Sequence, residues 1–212
     1  EEVPVAYRQE LQPRLDFLAD SLRHIVKSKV FRGRQAILSL PAELTFVHHL
    51  KIPRVPDSEI PKVLRSELQG KLPYEVDEAV IRHVVAGELP GEGDGKQEVI
   101  VICAKRSVLE SCLAMTRRAR LDVVGVNVEP CAMVECFSRL FRRDSDTNRT
   151  LLFVDMGFRS TQVVFAHGSQ IVFARNLRVG GMSIDEALAG GLEMTAEQAH
   201  SLRQEMLRGE LD

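Results

Sequence analysis

Residues 151–165, LLFVDMGFRSTQVVF, place an apolar run of strand length, a short polar break and a second apolar run in immediate succession. Apolar, β-branched runs of four to six residues suit strands, and a small-polar break of this length suits a tight hairpin. The break carries Asp155, Gly157, Arg159, Ser160 and Thr161. Glycine lets the backbone come close to a bound anion, Ser160 and Thr161 supply hydroxyls and N–H groups, and a carboxylate such as Asp155 holds a metal ion through water. A plain hairpin with polar turn residues satisfies the same pattern, so the flanking sequence has to decide.

Upstream, residues 123–137 read as a strand running into a helix. Pro130 stands in the first turn, where a missing N–H costs nothing, and Glu129 sits at the strand-to-helix corner. Downstream come Gly180 and Gly181, a short apolar segment at 184–188, and Thr195, which opens another helix. This order resembles the actin, Hsp70 and sugar-kinase superfamily. The resemblance implies an α/β fold of the actin-like (ribonuclease H-like) ATPase type. It also implies roles: Glu129 to orient an attacking water, Asp155, Gly157 and Thr161 to hold phosphates, and Gly180 and Gly181 to begin the next helix. Glu197 and His200 stand where a Glu and a Lys touch ribose and adenine. Arg159 occupies a position where small residues are usual, and either pairs with a phosphate or fills its place.

Within that superfamily the chain is similar to the PilM-like proteins of type IV pilus assembly, and more distantly to FtsA and to the cytoplasmic parts of secretion-system L proteins. The likeness covers residues 30–207. Its pilus-specific part lies between Leu40 and Leu121, where SLPAELTFVHHLKIP is followed by a helix, then KLPYEVDEAVIRHVV, an acidic spacer and EVIVICAKRSVLESCLAMTRRARL. The resemblance implies a partial actin-like fold with an inserted strand-helix-strand-strand module. Four segments follow: 1–40, the end of the first subdomain; 41–122, the module; 123–147, the return to the first subdomain; and 148–212, the start of the second. The polar stretch 142–149 marks the boundary between the last two. The superfamily's first phosphate loop is expected before residue 1, so no ATPase activity is expected of these 212 residues alone.

The implied partner is the N-terminal cytoplasmic peptide of a PilN-like membrane protein. Ile37, Leu40, Leu44, Ile60, Val63 and Leu64 are the nearest candidates to line its groove, although an apolar strand beside an apolar helix is first of all a core. ATP with magnesium, held partly by Asp155 through water, is left open for the full-length protein, as is self-association. The implied place is the cytoplasm, at the inner face of the inner membrane, with membrane contact indirect. Two alternatives stand: an ATP-hydrolysing FtsA-type protein, and a type II secretion L-type scaffold. A small-molecule kinase is least favoured, because 41–122 offers no polar cluster suited to a sugar.

Composition agrees with an ordered, soluble chain of 44 % hydrophobic and 27 % charged residues. A net charge of −2 argues against nucleic acid as main partner. The basic clusters at 117–120 and 139–143 read as solvated helix ends, favoured by the helix dipole. Cys103, Cys112, Cys131 and Cys136 lack CxxC spacing and read as buried reduced thiols.

Along the chain, leucines at intervals of three and four predict a helix over 7–28, and 35–40 reads as a buried strand. Residues 44–52 read as a strand in which His48 and His49 point to opposite faces and cannot share a metal. A helix opens at Asp57 or Ser58 and ends by Pro73. Strands at 79–86 and 98–104 pair across the glycine-rich 90–95, whose tip is expected to be mobile, and Ser107 caps a helix to 120. Further strands are expected at 151–154, 161–166 and 170–177, and helices at 183–190 and 195–208.

Overall fold

A computed structural model of the chain describes residues 3–4, 7, 10–28, 30–87, 95–138 and 149–209. The chain divides into two compact units, Glu1–Ala132 and Met133–Asp212. The expected polar boundary at 142–149 and the glycine-rich tip lie mostly outside the described residues.

In the first unit, helix α1 (Leu11–Lys27) leads into strand β1 (Gln35–Leu40). Strand β2 (Thr45–Pro53), helix α2 (Ile60–Leu68), strands β3 (Ala79–Gly87) and β4 (Lys96–Lys105), helix α3 (Arg106–Arg118) and strand β5 (Asp122–Val128) follow. Helix α4 (Glu129–Ser138) crosses into the second unit. Strands β1 and β5 form a parallel pair, running from Gln35 opposite Asp122 to Leu40 opposite Val128. Strands β2, β4 and β3 form a separate antiparallel sheet in that order.

The antiparallel sheet has a dense core because β4 is its central strand. Val99, Val101 and Cys103 point to one face and meet Ile60, Leu64 and Leu68 of α2, all of them at most 1 % exposed. Those helical positions repeat at four residues, which is what an amphipathic helix laid on a sheet requires. A second cluster joins Leu15 and Ala19 of α1 to Leu40, Ala104, Cys112 and Met115.

Several expectations need correction. Strand β1 is not buried throughout: its residues alternate, and Ile37 is 69 % exposed. The pleat sends Leu38 and Leu40 toward α1 and α3, and Ile37 to the other face. Leu44 lies in a 3-10 turn before β2, not in the strand. Helix α2 starts at Ile60 after Glu59, without a side-chain cap from Asp57 or Ser58, and ends at Leu68. Helix α3 starts at Arg106, so Ser107 is inside it.

The cysteines divide instead of sharing one fate. Cys103 and Cys112 are buried, Cys131 is half-buried and Cys136 is exposed. Burial pushes the Cys103 thiol up to about 11, and it raises Cys112 as well, against the lowering influence of Arg14. Thiolate is the reactive form, so both are inert near neutrality. Alkylation of folded protein, read by mass spectrometry, will therefore label Cys136 first and Cys131 more slowly. Cys103 and Cys112 will react only in denaturant, and prompt labelling of Cys103 would contradict the core described here.

The second unit contains an antiparallel meander of β6 (Thr150–Met156), β7 (Thr161–His167) and β8 (Gln170–Leu177). Helices α5 (Gly181–Gly191) and α6 (Ala196–Arg208) pack on each other. Helix α6 opens with a reciprocal capping box: Thr195 accepts from the Gln198 amide, and Gln198 accepts from the Thr195 amide.

Candidate functional site

The turn between β6 and β7 is closed by its own backbone. The Gly157 amide donates to the Ser160 carbonyl at 2.9 Å, and Met156 pairs with Thr161 across the hairpin. The turn then docks on the start of α5. The Gly181 amide donates to the Gly157 carbonyl at 3.0 Å and the Met182 amide to the Phe158 carbonyl at 2.7 Å. Two of the N–H groups that a helix start leaves over are thus satisfied by protein oxygens, in the place where an anion is often bound. The Thr161 hydroxyl is also engaged, donating to the Val179 carbonyl at 2.7 Å.

Glycine at 180 is demanded by contact. A Cβ there would stand 2.7 Å from both the Gly157 and Phe158 carbonyl oxygens and 2.8 Å from the Ser160 amide nitrogen. Asp155 is exposed near the end of β6, opposite Gln162. Among the described residues no three His, Cys, Asp or Glu side chains gather to hold a metal.

A buried polar cluster joining α5 and α6 was not anticipated from sequence. Asp185 on α5 is buried, its side chain 6 % exposed. Arg203 holds it with Nε to Oδ1 at 2.6 Å and Nη2 to Oδ2 at 3.1 Å, a bidentate geometry, and His200 Nδ1 lies 2.9 Å from Oδ2. Burial pushes the Asp185 carboxyl up, but the hydrogen bonds from Arg203 and His200 outweigh it and hold the group below its ordinary value. The other side of the His200 ring meets the turn: Phe158 lies edge-on to it with centroids 6.0 Å apart. Phe158, His200, Asp185 and Arg203 thus form one chain of contacts from turn to helix α6.

Glu197 is directed elsewhere. It lines an open depression of about 790 Å³ with Glu193, Thr195, Gln198, Ser201 and Glu205. Three carboxylates with no cation suit hydroxyl groups and repel phosphate. Glu129, in the first unit, accepts from the Ala42 amide through Oε2 at 2.6 Å and so fastens the turn that follows β1. Of the groove candidates, Leu40, Ile60 and Leu64 are core residues at 0–2 % exposure and present no surface. Leu44 and Val63 are half-buried, and Ile37 is exposed.

Paired strands, a glycine-rich turn locked to the following helix and a strand-to-helix corner bearing a glutamate define an actin-like fold. Residues 8–209 match the family model described as type IV pilus assembly protein PilM, and the chain belongs to that family. It is similar in structure to the PilM-PilN type IV pilus biogenesis complex, with a TM-score of 0.80 at 20 % identity, covering 98 % of this chain and 62 % of that one. It is also similar to the cytoplasmic domain of EpsL, an inner-membrane component of the type II secretion system of Vibrio cholerae. There the TM-score is 0.53 at 13 % identity, over 81 % of this chain and 60 % of that one. The chain therefore spans less than two thirds of either solved relative. No curated protein matches its sequence.

Proposed function

We propose that this chain is part of a type IV pilus scaffold that binds the cytoplasmic N-terminal peptide of a PilN-like inner-membrane protein. The observation that supports it is the match of 98 % of the chain to a protein solved as a PilM-PilN complex. The module of residues 41–122 and the adjoining β1 supply the surface, and the protein works at the inner face of the inner membrane. No helix among the described residues is long and apolar enough to cross a membrane. Nucleotide, ATP with magnesium, belongs to the full-length protein. In this reading Asp155 and Arg159 face the phosphates and Glu197 takes ribose hydroxyls.

An extended apolar peptide gains affinity from main-chain hydrogen bonds and from side chains entering pockets. Each buried aliphatic anchor contributes about 1.5–3 kcal/mol, so losing one weakens binding about tenfold or more. Leu64 is core, so a charge there would unfold the module. The informative variants are Ile37→Asp and Val63→Glu, with circular dichroism to confirm folding. Titration of the partner's N-terminal peptide into full-length protein is expected to show at least about a tenfold loss in one of them, equivalent to one anchor. No binding by the wild type removes the pilus-scaffold reading. The secretion L-type alternative rests on the EpsL fold likeness alone, and the same titration with an L-type partner's tail tests it.

A further inference from the structure

The strongest unassigned surface lies at the end of the first unit where α1 and α3 finish. Both helices lead into the parallel β1–β5 pair, with Gln35 opposite Asp122, and they pack side by side. Their C-terminal ends therefore lie at the same end of the sheet. The connection is direct: the Asp122 amide donates to the Arg34 carbonyl at 2.8 Å. Two basic segments more than eighty positions apart in sequence become one edge. It carries Lys27, Arg32 and Arg34 from the first connection and Arg117 and Arg120 from the second, all exposed. Arg118 is not among them, since it pairs with Asp16. Asp122 lies beside Arg34, in a chain whose net charge is −2.

Charge at helix C-termini has an ordinary explanation in the helix dipole. That explanation does not account for what stands between the cations. Val30 is 75 % exposed and Phe31 63 %, the first and fourth most exposed of the large hydrophobic residues described. They project from a bend that Gly33, at φ +84°, turns back into β1. Nor does it account for Arg120, which holds a left-handed conformation at φ 61° just beyond the Ala119 cap. The Leu121 amide returns to the Thr116 carbonyl there, in the arrangement that normally places glycine at this position. An arginine is kept where glycine would fit the backbone better.

We propose that this edge, with Lys27, Arg32, Arg34, Arg117 and Arg120, docks directly on an anionic lipid surface, with Val30 and Phe31 entering the headgroup region. Exposed apolar side chains ringed by cations match an interface that is negatively charged outside and apolar beneath. A folded polyanion would use the arginines but would leave Val30 and Phe31 in water. The proposal does not depend on peptide binding.

The test is co-sedimentation of the full chain with vesicles of phosphatidylglycerol and phosphatidylethanolamine, against phosphatidylcholine alone. Wild type is expected to pellet with the anionic vesicles and to be released by salt. Arg32→Gln with Arg117→Gln should weaken partition about 30-fold, the effect expected of two cations near such a surface. Val30→Ser with Phe31→Ser should weaken it without changing the salt dependence, while Leu207→Ser, on helix α6 and 72 % exposed, should not. Arg120→Gly separates structure from function: melting temperature should hold or rise while vesicle binding falls. The proposal is overturned if wild type ignores anionic vesicles or binds both kinds equally. It is also overturned if Val30→Ser with Phe31→Ser binds as wild type, which would leave a general polyanion surface, to be seen as retention on heparin.

Discussion

Replacing Gly180 by alanine will lower the melting temperature of the second unit by about 15 °C, the shift that about 3 kcal/mol produces in a domain of this size. The φ of Gly180 is −157°, extended backbone that any residue adopts, so the cost is purely steric. A methyl group would meet two carbonyl oxygens and an amide nitrogen, all main-chain atoms, at 2.7–2.8 Å. None of them can rotate away. Relief requires the turn to leave α5, which breaks the Gly181–Gly157 and Met182–Phe158 hydrogen bonds. Gly181→Ala should cost less, because its Cβ meets the Arg203 guanidinium at 2.8 Å, the end of a side chain. That side chain is nonetheless held to Asp185, so the effect will not vanish. Thermal melts of the two variants check the order, and a Gly180→Ala protein melting with wild type would refute the docked turn.

The second large effect is expected at Asp185. Asp185→Ala leaves the Arg203 guanidinium, whose side chain is 14 % exposed, without its partner. Breaking a buried pair by removing one member costs about 3 kcal/mol or more. Asp185→Asn keeps the volume and separates loss of charge from the cavity. The folded carboxyl titrates below 3.8, its ordinary value, so its contribution is complete above about pH 4 and is lost as pH falls through the folded value. Wild-type and Asp185→Ala melting curves should therefore stay apart at neutral pH and approach each other only below 3.8. The Phe158 contact of His200 predicts a further readout: amide exchange in 157–160 should accelerate in Asp185→Ala. Equal melting temperatures at pH 7 would show that the triad holds nothing.

Much of this was legible along the chain, because periodicity reports local structure. The expected strands at 161–166 and 170–177 correspond to β7 and β8, and Thr195 marked the start of α6. The hairpin at Asp155 was visible for the same reason, since both strands and the turn are contiguous. Asp185 was not visible. A lone aspartate in a short amphipathic segment reads as solvated, and its partners lie fifteen and eighteen residues away on another helix. Glu129 was picked out by its corner, but its bond to Ala42 spans eighty-seven positions and has no local signature. The apolar groove candidates failed differently. Leu40, Ile60 and Leu64 have the spacing of an inward face, and spacing does not distinguish a face turned to a core from one turned to a groove.

The pairing of β2 with β4 has a consequence for how the first unit assembles. Strands β1 and β5 are neighbours in space, yet about eighty residues separate them, and closing so long an open loop costs about 4 kcal/mol beyond the constant term. The ladder sets Thr45 opposite Ala104. Once it has formed, the chain leaving β1 and the chain entering α3 already run side by side, and only α3 and two short links remain to be spanned. The inserted segment therefore acts as a splint: its own zippering prepays the entropy of joining its host's parallel strands.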